Sequence, residues 1–437
     1  MFGLFQSVEK QMRSNARNWL ELADKIYHYR RDELADADLA DLQRKSGALR
    51  AHLGERADGG RLKLDIEALE PVLHRVGGKF YPRSGWQEWV EFLVVAAIVI
   101  LACRQYFFQP FKIPTNSMWP TYNGMVPEVH ATPADEPAAA QRLFRAVAFG
   151  ASAYRIDAPA DGEVLIPIQG NGVPLSRPVK GRHWLVLPQA QKAYDLVVGG
   201  EVVTVSVPED FGSTFVEWVL KDAFAPDQPD YATAIGAWIK DKKYSERTVA
   251  TSDGRRISTY FIHTGKTVKK GDRVLSFDII TGDQLFVDRM SYHFTRPNIG
   301  SGFVFRTDNI PALMRKNKPS YYIKRLAGQP GDTLEIRPPV LYRNNEPISG
   351  AAAFASNHNR EGRYLGYVNG YASVDYPTPL LLPQEHYHVS ENGYIALGDN
   401  SNNSLDSRMW GEVPKKDVVG RPLWVFYPFT SHWGPAK

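Results

Sequence analysis

Over residues 1 to about 85 the apolar positions recur at helical spacing. The stretch 34–42, Leu-Ala-Asp-Ala-Asp-Leu-Ala-Asp-Leu, is one instance, and Ala, Glu, Arg and Leu are common throughout. Gly59-Gly60 and Gly77-Gly78 interrupt the pattern, which predicts a helical hairpin and a hinge. The opening residues are amphipathic and lack the apolar centre of a cleavable secretory signal, so none is expected.

From Trp86 the pattern changes. Residues 92–103, Phe-Leu-Val-Val-Ala-Ala-Ile-Val-Ile-Leu-Ala-Cys, carry no charge. About twelve apolar residues fit either a buried core helix or part of a membrane span. The flanks favour the span. Trp86 and Trp89 precede it and Tyr106, Phe107 and Phe108 follow, where interfacial aromatic belts belong. Taken to those belts, a transmembrane helix covers 86–109, with Glu91 and Arg104 near enough to its ends to snorkel. Arg75, Lys79 and Arg83 lie before it, and Arg104 and Lys112 after it. That bias favours an N-terminus in the cytoplasm and the rest of the chain outside.

Beyond residue 110, short β-branched and aromatic runs alternate with Gly, Pro, Asn and Asp, as at 162–167, 201–207 and 423–427. This texture predicts an antiparallel, mostly β region. Residues 131–145 and 213–244 look more helical.

Composition adds three exclusions. The 437 residues, 43% of them hydrophobic, are ample for two or three packed domains and too apolar for disorder. Lys and Arg number 52 against 48 Asp and Glu, with no basic block, which argues against an extended nucleic-acid surface. The single cysteine, Cys103, excludes an internal disulfide framework and a multi-cysteine metal site; in its apolar stretch it reads as inert packing.

Candidate chemistry begins directly after the apolar segment. In Pro114-Thr115-Asn116-Ser117-Met118-Trp119-Pro120, two prolines keep the chain out of a helix, so the loop presents the Ser117 hydroxyl on a restricted backbone. A loop serine is as commonly solvated or a helix cap. A nucleophilic serine needs a base, and the histidines are scattered. His386 and His388 share one face of a strand without the further ligands of a zinc site, so they read as surface or packing residues and no metal is expected.

The better base is Lys324, in a strand-like run over 321–326 that ends at Gly328, Pro330 and Gly331. Alternation puts it on one face with Tyr322 and Leu326, and Arg325 on the other. An internal face would desolvate the ammonium, lower its pKa and leave a neutral amine able to act as a base. On an edge strand it would be a solvated lysine. A third cluster, 395–411, gathers Asp399, Asn400, Ser401, Ser404, Asp406 and Arg408 beside Gly398 and Trp410. It is either a hydrogen-bonded loop packed on the core, with Asp406 paired to Arg408 and Ser404 orienting a buried amine, or a polar surface loop.

Together these clusters resemble the type I signal peptidases, the membrane-bound Ser/Lys proteases. The resemblance covers the apolar segment, residues 104–124 and about 281–437, in family order. Ser117-Met118-Trp119-Pro120-Thr121 is similar to the nucleophile box, 281–305 to the next, 324–332 to the lysine box and 398–411 to the last. The resemblance implies Ser117 as nucleophile and Lys324 as general base. It implies an oxyanion hole from the Ser117 amide and the Thr115 hydroxyl. Ser404 would hold the lysine amine, with Asp406 and Arg408 supporting that loop.

Departures accompany the match. Thr115-Asn116 stands where Ser-Gly is common, keeping the hydroxyl and placing an asparagine, which tolerates positive φ, at the glycine position. Ser401 replaces an arginine, and Ser301-Gly302 replaces Gly-Asp. The largest departure is an insertion over about 126–280. Its two halves, around 156–164 and 265–275, are faintly similar to the lipoyl/biotinyl barrels but lack the Met-Lys-Met attachment motif, implying a structural β-barrel without a prosthetic group.

The expected fold class is mainly β: an antiparallel β-rich catalytic domain of signal-peptidase type, preceded by an α-helical N-terminal region and one transmembrane helix. The expected domains are 1–85, 86–109, 110–125 with 281–437, and the insertion 126–280. By the resemblance the chain is a signal peptidase I in the inner membrane, its catalytic domain extracytoplasmic. It would cut signal peptides from exported pre-proteins through an acyl-enzyme, without cofactor. Signal-peptide-bearing pre-proteins and the lipid bilayer are the expected partners, with no nucleic acid, and the insertion offers a contact for secretion machinery. The alternatives are a maturation protease of narrow client range and an inactive membrane-tethered binding module. Burial is expected to dominate the Lys324 pKa, with no nearby carboxylate to restore the charge.

Overall fold

The computed structural model describes residues 8–436 apart from 83–84, 170–171, 184–186, 251–255 and 315–318. Arg83, counted in the charge bias before the apolar segment, lies outside the described residues. Two compact units are present, Met1–Leu101 and Ala102–Lys437.

In the first unit, α1 (Val8–Arg30), α2 (Asp36–Gly54) and α3 (Gly59–Val76) form a three-helix cluster. Ala16, Leu20, Ala23 and Ile26 of α1 pack with Leu42 and Leu49 of α2 and with Leu62, Leu69 and Leu73 of α3. Those spacings of three, four and seven put each set on one helical face. The hairpin reading is therefore corrected to three helices. Gly59 and Gly60 open α3 rather than break a helix, because the Asp58 carboxylate accepts from the amides of Gly60 (2.8 Å) and Arg61 (3.1 Å) as an N-cap.

The apolar segment forms α4 (Gly85–Tyr106), of which Glu88–Tyr106 has the length and composition to cross a membrane. Phe92, Leu93, Ile98 and Leu101 on it are all exposed. At 1.5 Å per residue its 22 residues reach about 33 Å, close to the thickness of a bilayer core.

The second unit is β-rich. Directly after α4 comes β1 (Phe108–Lys112), followed by the nucleophile loop. The chain continues through β2 (Val126–Val129), α5 (Ala139–Phe149), β3 (Ser152–Asp157), β4 (Gly162–Ile168), β5 (Ser176–His183), β6 (Leu187–Val198) and β7 (Glu201–Pro208). A helical stretch over 212–224 with a π-helical turn at Phe215–Leu220 precedes α6 (Tyr231–Lys240), β8 (Tyr244–Ala250), β9 (Arg256–Val268) and β10 (Arg273–Ile280). These strands pair among themselves, as β2-β10-β3 and as β5-β6-β4-β9-β8 with β7 on β6. The two halves likened to lipoyl-type turns meet in space. Gly162 pairs with Val268, the Ala158 amide donates to the Asp272 carbonyl (2.8 Å), and the Lys270 amide donates to Asp161 (2.7 Å).

The remaining strands are β11 (Gln284–Asp288), β12 (Gly302–Arg306), β13 (Tyr321–Gly328), β14 (Thr333–Arg337), β15 (Val340–Arg343), β16 (Glu346–Pro347), β17 (Tyr387–His388), β18 (Gly393–Leu397), β19 (Val413–Pro414), β20 (Val418–Tyr427) and β21 (Gly434–Pro435). The largest sheet runs β1-β11-β20-β12-β13-β18-β19, with β21 on β20, and all its pairings are antiparallel. Thus β1 and β13, separated by the whole stretch 113–320, become parts of one sheet. Beneath the loop after β1, Ile113, Met118 and Tyr122 pack with Leu285, Val287, Val304 and Val425 from that sheet. The loop is anchored by apolar side chains on both flanks of Ser117, which restricts where its hydroxyl can go.

Candidate active site

Ser117 sits in a single 3-10 turn, Asn116–Met118, closed by the Trp119 amide donating to the Asn116 carbonyl at 3.1 Å. Met118 is fully buried and Ser117 half-buried. Asn116 is not at positive φ, so that reading is corrected: its backbone is helical and its value lies in its amide. The buried Asn116 accepts from the Gly124 amide (2.8 Å) and donates from Nδ2 to the Met125 carbonyl (3.0 Å) and to Thr214 Oγ1 (3.2 Å). Its amide group thus bonds both within the loop and to the stretch after β7.

Lys324 lies on β13 and is only 4% exposed. Its Nζ donates to Ser117 Oγ at 2.5 Å and lies 5.7 Å from the centre of the Tyr322 ring. Burial pushes its pKa down to about 8. Asp406 and then Asp399 act in the other direction, and the Arg408 charge lowers it further. The expectation of no nearby carboxylate is therefore corrected: two are close enough to act, and burial outweighs them. At that value an appreciable share of the amine is neutral near neutral pH, where it can take a proton from the hydroxyl it touches.

Arg325, on the other face of β13, is equally buried. Its guanidinium grips Asp399 with two bonds, Nε to Oδ1 at 2.7 Å and Nη2 to Oδ2 at 2.6 Å, and donates from Nη1 to the Gly300 carbonyl at 2.5 Å. Thr121 Oγ1 donates to the same carboxylate at 2.5 Å. This pair ties β13, the loop after β18 and the nucleophile loop together. The sequence reading gives Asp399 no partner, because the partner is 74 positions away.

The loop after β18 closes the site from above. The Asn400 amide donates to the Ser117 carbonyl (3.1 Å), and Asn400 Nδ2 to the Asn116 carbonyl (3.0 Å). Asp406 and Arg408 do pair, Nε to Oδ1 and Nη2 to Oδ2, both at 2.8 Å and both buried. Burial raises the Asp406 carboxyl, but the Arg408 charge and bonds, the Gly398 amide and the Ser404 hydroxyl together hold it below the ordinary carboxylate range. Arg408 also donates to Ser401 Oγ (2.8 Å), so the serine that stands where the family has arginine completes this network.

Two expected site residues are placed less directly. The Ser404 hydroxyl is buried beside Gly398 and makes no hydrogen bond of ordinary geometry to Lys324 or to any other described group. Its effect is on Asp406, whose carboxyl it helps to hold low. Thr115 is exposed and extended (φ −117°, ψ 159°), two residues before Ser117. His386 pairs with Glu335 (3.5 Å) and His388 with Thr333 (2.8 Å). Among the described residues, no group of three or more His, Cys, Asp or Glu side chains is arranged to hold a metal.

A serine hydroxyl bonded to a buried amine, on a loop held by backbone amides, is the equipment of the serine hydrolases. Residues 276–427 match the family described as signal peptidase, peptidase S26, which is a serine peptidase family. A probable signal peptidase I-1 of Synechocystis sp. is 29% identical over 153 residues, covering 35% of this chain and 66% of that protein. The signal peptidase I of Leptolyngbya laminosa is 30% identical over 147 residues, covering 33% and 61%. An inactive signal peptidase IA of Staphylococcus aureus is 25% identical over 171 residues, covering 39% and 83%. A crystal structure of a signal peptidase I from Enterococcus faecalis V583 is 27% identical and covers 29% of this chain and 97% of that one, at a TM-score of 0.22. The chain spans less than two thirds of the length of the first two of these relatives. Residues 276–427 thus carry the likeness to the S26 signal peptidases, and the relatives named are of its type I class.

Proposed function

We propose that this chain is an endopeptidase, anchored by α4, that removes signal peptides from exported pre-proteins. Its catalytic domain would be built from 110–125 and 281–437, with 126–280 as an inserted domain. The observation that carries the reading is the 2.5 Å contact between Ser117 Oγ and a Lys324 amine whose pKa burial lowers to about 8. Ser117 Oγ attacks the scissile carbonyl and its proton passes to Lys324 Nζ. The lysine then delivers that proton to the departing amide nitrogen, leaving an acyl-enzyme. Water, deprotonated by the same amine, hydrolyses the ester. The developing oxyanion is met by the Ser117 amide and the Thr115 hydroxyl, where loss of one donor lowers the rate by about 10²–10³. Asp399 with Arg325, and Asp406 with Arg408, fix the two loops that hold the pair. The chain would lie in the inner membrane with its N-terminus cytoplasmic and this domain outside. No metal or cofactor enters any step.

Ser117→Ala and Lys324→Ala in the purified protein, each with a pre-protein substrate, test this reading. Loss of cleavage in both is expected. Cleavage by either variant near the wild-type rate would overturn the mechanism, and an inactive wild type would align the chain with the inactive relative instead.

A further inference from the structure

The stretch 126–280 does more than hang from the catalytic sheet: it reaches the nucleophile turn. Thr214, 98 positions after Asn116, presents Oγ1 to Asn116 Nδ2 at 3.2 Å, and both residues are buried. Four residues on, Trp218 meets Trp119 edge-to-face, with ring centres 5.3 Å apart. The Arg363 guanidinium lies over the same Trp119 ring at 4.9 Å. Asn116, just before Ser117, and Trp119, two residues after it, are therefore both contacted by the helical stretch 212–224.

The geometry of that stretch is unusual. A π-helical turn over Phe215–Leu220 follows immediately on Thr214. Such turns are rare and frequently occur at functional sites. Phe215, Val219 and Leu220 are packed in the core of the inserted domain with Phe211 and Phe277. Thr214 and Trp218 are thus supported by a rigid apolar base rather than by a loop, and can transmit positional restraint.

We infer that Thr214 is a positioning residue for the reaction, acting on Ser117 through the Asn116 amide, and that the inserted domain is a working part of the active site. The inference rests on the Ser/Lys reading given above. Without the Thr214 acceptor, Asn116 Nδ2 keeps only the Met125 carbonyl, and the turn carrying Ser117 is held less tightly against Lys324 Nζ. A misplacement of 1 Å lowers a rate by about 10²-fold, so a partial loosening is expected to lower it by about tenfold.

The test uses the full chain in detergent, with Thr214→Val, Thr214→Ala, Thr214→Ser and Thr259→Val. Thr259 is the control: its hydroxyl donates to the Ile168 carbonyl within the inserted domain, away from the nucleophile turn. Cleavage of a peptide with alanine at −1 and −3 should show kcat down about tenfold in both apolar variants, with KM within about twofold. Thr214→Ser should restore kcat, and Thr259→Val should leave it unchanged whatever it does to Tm. A phosphonate that labels activated serines supplies a second readout, since its rate with Ser117 should fall in step with kcat. If the wild type labels but does not cleave the peptide, the signal-peptidase reading fails while the labelling rates still test Thr214. Equal labelling and kcat in wild type and Thr214→Ala overturn the inference, as does a loss that Thr259→Val reproduces. A wild type that neither cleaves nor labels overturns both.

Discussion

A lysine held almost out of water beside a serine is the residue-scale fact on which the chemistry turns. With its pKa at about 8, kcat/KM is expected to rise with pH as a single ionisation centred near that value and to level off above it. A profile centred near 6.5, where histidine titrates, would point to a different base. The same shift bears on stability. Well below pH 8, Lys324 is protonated both folded and unfolded, and its lowered folded value destabilises the fold by about 3 kcal/mol; the penalty fades as pH climbs from there toward 10.5. Lys324→Met is therefore expected to abolish cleavage while raising Tm at pH 7, which calorimetry can check. Asp406 carries the opposite sign. Its charge raises the Lys324 pKa, so Asp406→Asn should move the acid limb of the rate profile below pH 8. The buried Arg408 then loses its charge partner, so unfolding should become easier by about 3–5 kcal/mol. A limb that stays put would mean that the charge of Asp406 does not reach the amine.

Elements set how tightly those groups are held. Strand β18 ends at Leu397, and the next residue, Gly398, donates its amide to Asp406 at 2.9 Å while its Cα faces the nucleophile turn. A Cβ there would come 2.1 Å from Ser404 Oγ and 2.5 Å from the Ser117 carbonyl oxygen. Backbone cannot yield by that much without moving, so Gly398→Ala should lower kcat by about 10²-fold and lower Tm. Alanine tolerated at both readouts would show that the loop after β18 is looser than its bonds suggest. Strand β13 was legible because Tyr321 to Leu326 alternate and Gly328 and Pro330 stop them. The pairing of β13 with β12 and β18 was not, since it joins residues such as Lys324 and Phe303, or Leu326 and Ala396, across long separations. The break between α1 and α2 was missed for a different reason: no glycine or proline marks 31–35.

At the scale of the whole molecule, α4 is the proposed membrane anchor. Its Phe92, Leu93, Val94, Val95, Ile98, Ile100 and Leu101 are all exposed. Water would be a poor solvent for that face, and a bilayer a good one. The full chain is expected to remain in the membrane pellet after alkaline carbonate extraction. Val95→Asp with Val99→Asp should release it, because each charge near the centre of a span raises insertion free energy by about 2.5–3.5 kcal/mol. If the double variant stays in the pellet, something other than α4 holds the chain there.

By itself the sequence determined what depends on neighbours along the chain. It pointed to the apolar helix, which the structure ends at Tyr106 rather than 109, to the β texture beyond 110, and to the proline-bracketed turn that carries Ser117. The four boxes, each a local string, pointed to Ser117 and Lys324 before any distance was known. Only the tertiary structure decided the 2.5 Å contact between them, the grip of Arg325 on Asp399, and the carboxylates that oppose the burial of Lys324. It also decided that Asn116 serves as an amide bridge to Thr214 rather than as a residue at positive φ. The reason is physical. Periodicity and turn chemistry act over a few residues, whereas burial, charge coupling and a hydrogen bond between positions 98 apart exist only once the sheet has closed.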